Sequence, residues 1–288
     1  MIRESVRKAL DIKPSGRSSD FITPSFIHGC LYQCAYCYMR RNKPEGLSIA
    51  TNVSEILEVI FNHAQSLGTK EIPNQTHSNL WTYDISCNED FALHLKYHEW
   101  KTIFDFFKYS DLPIMGTFAT KHVNNKLLHY NPDKKIRIRF SLMPQELSNI
   151  LEPNTSLISE RIDAINDFYY AGYDVHINFS PIIINPGVKK LYEDLFKKID
   201  YYVDDKIKEN VFAECIMLTH NDKMHLYNLE HNSKAEELLW CPDRQESKIS
   251  SFGSKNIRYK VNLKEQYIKD FVKLHDEIIP WNKIRYIF

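Results

Sequence analysis

What most limits the folds open to this chain is an alternation. Six short segments, 22–28, 80–86, 114–119, 136–142, 175–181 and 211–218, are rich in β-branched or aromatic residues and bounded by polar or turn residues, as strands are. Stretches with apolar residues at helical spacing lie between them, at 54–66, 98–109, 157–170 and 188–201. The third is the clearest: Leu157, Ile158, Ile162, Ile165 and Phe168 form one stripe, Thr155 and Ser156 are capping candidates, and Gly172 stops the helix. Parallel strands need a crossover between them, so the pattern predicts an α/β fold with a parallel sheet, curled into a partial (β/α)6 TIM-like barrel. Such folds carry their chemistry at the C-terminal ends of the strands.

A chain of 288 residues can bury a sizeable core, and with only eight glycines, no long linker and no internal repeat it reads as one domain over 1–288. The core is expected over about 20–220, with residues 221–288 as a C-terminal extension of β-hairpin and helix. The N-terminus, MIRESVRKAL, lacks a secretory apolar region, and no apolar run approaches the roughly 18 residues that span a bilayer. A cytoplasmic protein without a membrane partner is expected. Lysine plus arginine and aspartate plus glutamate both number 37, so no global field draws nucleic acid, although a local basic patch would suffice.

The stretch GCLYQCAYCY places Cys30, Cys34 and Cys37 within eight positions, as C-x3-C-x2-C just past the first predicted strand. In a reducing compartment such a cluster suggests metal binding or catalysis rather than disulfides. A structural zinc site wants four protein ligands; His28 could serve only if it left its strand, and a disulfide would leave one thiol over. The better physical account is a [4Fe–4S] cluster held by three thiolates, whose fourth iron stays open for a substrate or cofactor.

That motif after the first strand of a β/α domain resembles the radical S-adenosylmethionine (SAM) superfamily. The resemblance implies a barrel of the radical SAM type in which SAM chelates the open iron. One electron then cleaves SAM, giving a 5′-deoxyadenosyl radical that takes hydrogen from an unactivated C–H bond. A narrower resemblance runs through YDISCNEDFALHL, GTFATKH, IRIRFSLMPQEL, LISERIDAINDFYYAGYDVHINFSPIII and FGSKNIRYK, which in this order look like the spore photoproduct lyase family. The terminal IPWNKIRYIF is similar to its non-spore relatives. This implies a lyase acting on a methylene-bridged thymine photolesion in DNA, reduced by a flavodoxin- or ferredoxin-type partner.

By the same resemblance Cys87 is the donor that returns a hydrogen atom to the product radical, and Tyr36 and Tyr38 are relay tyrosines. Lys121 would pair with the SAM carboxylate, Ser141 would contact SAM, and Arg139 is a weaker ligand candidate. Each has a plainer reading: Cys87 as a buried small hydrophobe, the tyrosines as loop packing, Lys121 as a solvated cation and Ser141 as a core hydroxyl. Arg137, Arg139 and Ser141 share a strand face by period two, and arginines facing a barrel interior need anionic partners. The chain departs from the family at Glu89, where the lyases carry a small hydroxyl residue that contacts SAM. Its leading segment, about 29 residues, is also shorter than in the sporulation enzymes.

Between 248 and 260, Lys248, Lys255, Arg258 and Lys260 stand without an acid, with Phe252, Gly253 and Tyr259 giving turn and aromatic character. A hairpin of this kind suits phosphate contacts, which position a duplex without reading its sequence. Cys215 and Cys241 read as structural, and His94, His98, His122, His176, His220 and His225 show no metal-ligand spacing. Two alternatives stand beside the lyase: the same radical chemistry on a nucleotide, RNA or biosynthetic small molecule, and a DNA-binding iron–sulfur protein without catalysis.

Overall fold

The computed structural model describes residues 1–39, 46–249 and 255–288. Its centre is an eight-stranded sheet. In chain order the strands are β2 (Lys13–Pro14), β3 (Phe21–Ile22), β6 (Trp81–Asp84), β7 (Ile114–Thr120), β8 (Ile136–Leu142), β9 (Asp174–Ile182), β10 (Phe212–Met217) and β14 (Ile284–Ile287), and the spatial order is the same. β3, β6, β7, β8, β9, β10 and β14 are parallel, and β2 pairs antiparallel at one edge. The sheet curls into an open half-barrel. The six predicted strands are thus neighbours in their predicted order, and the chain's last residues add a seventh parallel strand beside β10.

The first predicted strand is interrupted. Only Phe21–Ile22 enters the main sheet; Ile27–His28 (β4) pairs instead with Leu47–Ala50 (β5), which also carries Ile2–Ser5 (β1). Pro24 lies at the break, and a residue without an N–H cannot continue an interior ladder. The predicted helices appear as Val53–Leu67, Trp100–Lys108, Ile158–Tyr170 and Val188–Tyr202. The cap of the third differs from expectation. The Leu157 N–H donates to Glu160 Oε2 at 2.7 Å, while Ser156 Oγ accepts from Val123 N and Thr155 Oγ1 donates to the Glu152 carbonyl. Helix Gln145–Leu151 and the C-terminal helices Asp222–His231 and Ser233–Leu239 were not legible as separate elements.

Period two sorts β8 into two faces. Ile138, Phe140 and Leu142 join the apolar core under the helices, where Phe140 meets Phe168 edge-on at 5.2 Å. Arg137, Arg139 and Ser141 face the interior in successive layers. Arg137 Nε donates to Asp174 Oδ2 at 2.7 Å; Arg139 donates to Asp84 at 2.7 Å and Glu214 at 2.9 Å; Ser141 meets Lys121. The anionic partners that buried arginines require are therefore supplied by neighbouring strands. Across the open side of the curl, Ser18 Oγ lies 2.7 Å from Tyr286 Oη and Arg285 donates to the Gln75 carbonyl at 2.8 Å.

A third sheet joins Thr219–His220 (β11) to the hairpin of Gln245–Ile249 (β12) and Lys255–Tyr259 (β13). It sits at the C-terminal end of the barrel, because β11 follows β10 directly and Tyr259 Oη accepts the N–H of Ile184, just past β9. The helix Val261–Ile278 then returns over the outside, so the expected C-terminal hairpin and helix are both present.

Candidate active site

The three-cysteine loop leaves β4 through Gly29, whose φ is +125° and whose missing Cβ would lie 2.3 Å from the Gly46 carbonyl oxygen; only glycine fits there. Four contacts then fix the loop. Leu31 N–H donates to His94 Nε2 at 3.2 Å, Tyr32 Oη meets His122 Nδ1 at 3.0 Å, Ala35 N–H donates to the Leu151 carbonyl, and Asn228 Nδ2 donates to the Ala35 carbonyl. Cys30, Cys34 and Cys37 line one cavity of about 110 Å3 together with Tyr36, Tyr38, Cys87, Glu89 and Lys121. The sequence-predicted residues from three separate strands thus meet at the C-terminal mouth.

The donor set fits an iron–sulfur cluster. The three thiols surround a shared space, as ligands of a cluster with an open iron would. Burial, then Asp90, pushes the Cys30 thiol up to about 12, and burial, then Glu152, lifts Cys34 well above the ordinary range. Thiolate ligands at these positions need a compensating positive charge. Lys121 supplies one from the protein: burial acts to lower it, but Glu152 and Cys34 hold it above its usual value.

Lys121 Nζ lies 3.4 Å from Ser141 Oγ and 4.0 Å from Glu152 Oε1, and the Lys121 N–H donates to Asp90 Oδ2 at 2.7 Å. Arg139 lies one layer deeper with both Nη groups on the chain's own carboxylates, Asp84 and Glu214. Its position is that of an interior ion pair.

The two tyrosines separate. Tyr38 Oη donates to the Cys87 carbonyl at 2.5 Å and stands 3.9 Å from Cys87 Sγ, whereas Tyr36 turns into the protein and hydrogen-bonds Glu152. Cys87 is open to solvent at the mouth, yet the crowding around its sulfur, then Asp84, pushes its thiol up to about 11. It therefore stays S–H at neutral pH.

Two buried side chains that sequence reasoning missed complete the site. Glu152 accepts from Tyr36, from Ser148 and from Arg161 Nη1 at 3.0 Å. Arg161, fully buried, also donates to the carbonyls of Ser141 and Ser156, binding strand, loop and helix together. The signal available was a charged residue, Arg161, on the apolar flank of a helix. Glu89 points away from an exposed role: its Oε2 sits 3.1 Å from His94 Nδ1 and 2.8 Å from His98 Nε2, and Oε1 accepts the Ile27 N–H at 3.2 Å. His94 Nε2 accepts from Leu31, which leaves Nδ1 to donate to Glu89. The departure at Glu89 thus builds a clamp that, through His94, holds Leu31 beside Cys30.

The basic hairpin is partly neutralised. Arg258 pairs with Glu246 at 2.8 Å, Lys255 with Asp222 at 3.3 Å, and Lys260 Nζ donates to the Asp243 carbonyl. These acids lie outside the 248–260 window, which is why the window appears unopposed. Phe252 and Gly253 lie outside the described residues. Arg17 and Lys264, far apart in sequence, gather at the ring of Phe288, 3.4 Å and 5.6 Å from its centroid. Burial, followed by Arg258, Lys248 and Arg17, lowers Lys264, so these cations share one patch. The other histidines serve the scaffold: His176 pairs with Asp174, and His220 and His225 with Glu236. Cys215 is buried in β10 and Cys241 is half-buried.

A half-barrel of parallel strands with a C-x3-C-x2-C loop at its C-terminal mouth defines the radical SAM class. Within that class, a family model described as spore photoproduct lyase matches residues 2–288, and the chain belongs to that family. The spore photoproduct lyase of Bacillus subtilis (strain 168) is 30% identical over 213 residues, 73% of this chain and 60% of that protein. That of Geobacillus sp. (strain Y412MC61) is 29% identical over 198 residues, 67% of this chain and 55% of its own. The matches thus cover less than two thirds of these relatives' length. A solved spore photoproduct lyase complexed with dinucleoside spore photoproduct superposes with a TM-score of 0.86 at 19% identity, over all of this chain and 82% of that one. A mutant spore photoproduct lyase with bound AdoMet and dinucleoside spore photoproduct gives 0.86 at 18% identity. These likenesses establish the fold.

Proposed function

We propose that this protein is a radical SAM lyase that repairs a methylene-bridged thymine photolesion in DNA, with residues 1–288 acting as one catalytic unit. Cys30, Cys34 and Cys37 hold a [4Fe–4S] cluster, and Lys121 and Ser141 receive SAM. When bound, cluster and SAM supply hydrogen-atom abstraction from an unactivated C–H bond after reduction by a flavodoxin- or ferredoxin-type donor. The observation that carries the reading is Tyr38 Oη at 3.9 Å from Cys87 Sγ, in the cavity that the three cysteines line.

Cys87 gives one hydrogen atom, proton and electron together, to the substrate radical and is left as a thiyl. A thiolate could not make that transfer, and the protein keeps the thiol protonated by crowding it and setting Asp84 nearby. The Tyr38 O–H then returns a hydrogen atom to sulfur and is left as a phenoxyl radical, which would recover its own hydrogen atom from the product of SAM cleavage when that is bound. Burial, then Cys87, holds that phenol well above its usual range, so it too remains protonated. Tyr36, committed to Glu152, acts by positioning, and Arg139 by holding Asp84 and Glu214.

Damaged bases leave the stack at lower cost than intact ones, and a lesion must leave the duplex to enter a barrel mouth. Lys248 and Arg258, with Lys255 and Lys260 along the same hairpin, form a cationic rim there, extended by Arg17 and Lys264. The neutralised pairs favour one second reading, in which the same chemistry acts on a dinucleotide or nucleotide free of duplex. Anaerobic turnover of reconstituted protein with SAM, dithionite and the spore-photoproduct dinucleotide, followed by mass spectrometry, tests both. Formation of thymidylyl-thymidine supports the lesion; release of 5′-deoxyadenosine alone would remove it and leave the radical enzyme.

A further inference from the structure

A cavity larger than the one at the cysteines lies elsewhere among the described residues. It has a volume of about 660 Å3 and lies at the opposite end of the barrel, where the strands begin. Leu80 precedes β6, Met115 and Arg137 open β7 and β8, Asp174 and His176 open β9, Phe212 opens β10, and Lys283 and Arg285 flank the start of β14. A volume of that size suits a small organic ligand.

Five cations, Lys134, Lys135, Arg137, Lys283 and Arg285, line it against two acids, Asp133 and Asp174. Two of the five are already paired, Arg137 with Asp174 and Arg285 with Glu214, and Asp133 is exposed at the rim. Lys134 is committed to the carbonyls of Tyr169 and Tyr173. Among the described residues, the side chains of Lys135 and Lys283 make no ion pair or hydrogen bond.

Deeper in, polar atoms are left without partners. Arg285 has 7% of its side chain exposed; it donates to Glu214 and to the Gln75 carbonyl, and its Nε is buried with none. His176 Nδ1 is likewise buried and unpartnered. The site's field agrees: burial, then Arg137, drives His77 down to about 4 and His176 to about 3, and lowers Arg285 to about 10.

The walls are built. The 74–78 loop is pinned by the buried Lys70, whose Nζ donates to Asp20 at 2.9 Å, Asn74 at 2.9 Å and Thr76 at 3.0 Å. Opposite, the rings of His176 and Phe212 pack at 5.3 Å, with Met115 and Leu80 completing an apolar floor. An apolar surface beside the uncommitted Lys135 and Lys283 suits a planar ring carrying a phosphate.

We propose that this basal cavity binds a nucleoside monophosphate or a phosphate ester of similar chemistry, its phosphate held by Lys135 and Lys283 and its ring on Phe212 and Met115. The site is separate from the cysteine mouth and owes nothing to the lyase reading. Thymidine monophosphate and inorganic phosphate would be titrated into the full chain at low salt, read by calorimetry and thermal unfolding. The nucleotide is expected to bind saturably below about 1 mM and to raise Tm, with phosphate at least about tenfold weaker. Lys135→Glu and Lys283→Glu, both outside the cysteine cavity, should each weaken it by about tenfold or more and leave SAM cleavage unchanged. Phosphate binding as tightly as the nucleotide would remove the ring from the proposal. No saturable binding of either probe, or binding indifferent to both charge reversals, would overturn it.

Discussion

At the scale of single residues, the site separates groups that the sequence presents as equivalents. Tyr36 and Tyr38 flank the same cysteine, but only Tyr38 reaches Cys87. Tyr38→Phe should therefore leave cluster content unchanged and raise SAM consumed per repair event, while Tyr36→Phe should act through Glu152 on loop stability. Equal effects of the two on SAM consumption would contradict this division. Cys87→Ala should keep SAM cleavage and divert the product radical to side products; clean repair by that variant would leave Cys87 as packing. Glu89→Ala strips a buried acceptor from Ile27, His94 and His98, an effect of about 1–3 kcal/mol. Iron content after reconstitution should fall with Tm, because His94 holds Leu31 beside Cys30. Unaltered iron and Tm would dismiss the clamp.

At the scale of elements, the hairpin shows how a charge run overstates its field. Arg258 and Lys255 already face Glu246 and Asp222, and exposed pairs of that kind are worth little yet cancel at distance. The cations to reverse are Lys248 and Lys264. Their double change to Glu should lower the slope of log affinity for duplex DNA against log salt by about 2, with turnover of the dinucleotide unaffected. A slope that does not move would take this face out of the contact with DNA. The helix Ile158–Tyr170 has a second duty, because Arg161 ties it to Ser141 and Glu152. Arg161→Met leaves Glu152 buried without its main cation and should cost about 3–5 kcal/mol, measured by denaturant unfolding.

At the scale of the whole molecule, acid should destabilise the fold through the base of the barrel. His176 is buried neutral with its value driven down to about 3, so the unfolded chain binds a proton that the native chain refuses. The stability this confers is full above about 6.5 and is lost as pH falls toward 3, by up to about 1.4 kcal/mol per pH unit. Tm should drop between pH 7 and 5, and His176→Asn should flatten that slope; an unchanged slope would place the acid sensitivity elsewhere. The sequence by itself determined the six-strand alternation and the cysteine triplet, because hydrophobic period and thiol spacing are local properties of the chain. It also carried Cys87, Lys121 and Ser141 to the ends of successive strands, since parallel strands bring such ends together. Only the tertiary structure decided what crosses between elements. Pro24 broke the first strand, and β14 joined β10 from 60-odd residues beyond the barrel core. Glu89 became a clamp, and Glu152 with Arg161 became a buried hub. Cations from the starts of β8 and β14 came to line the basal cavity together. Partners of that kind are chosen by distance in space, which carries no period along the chain.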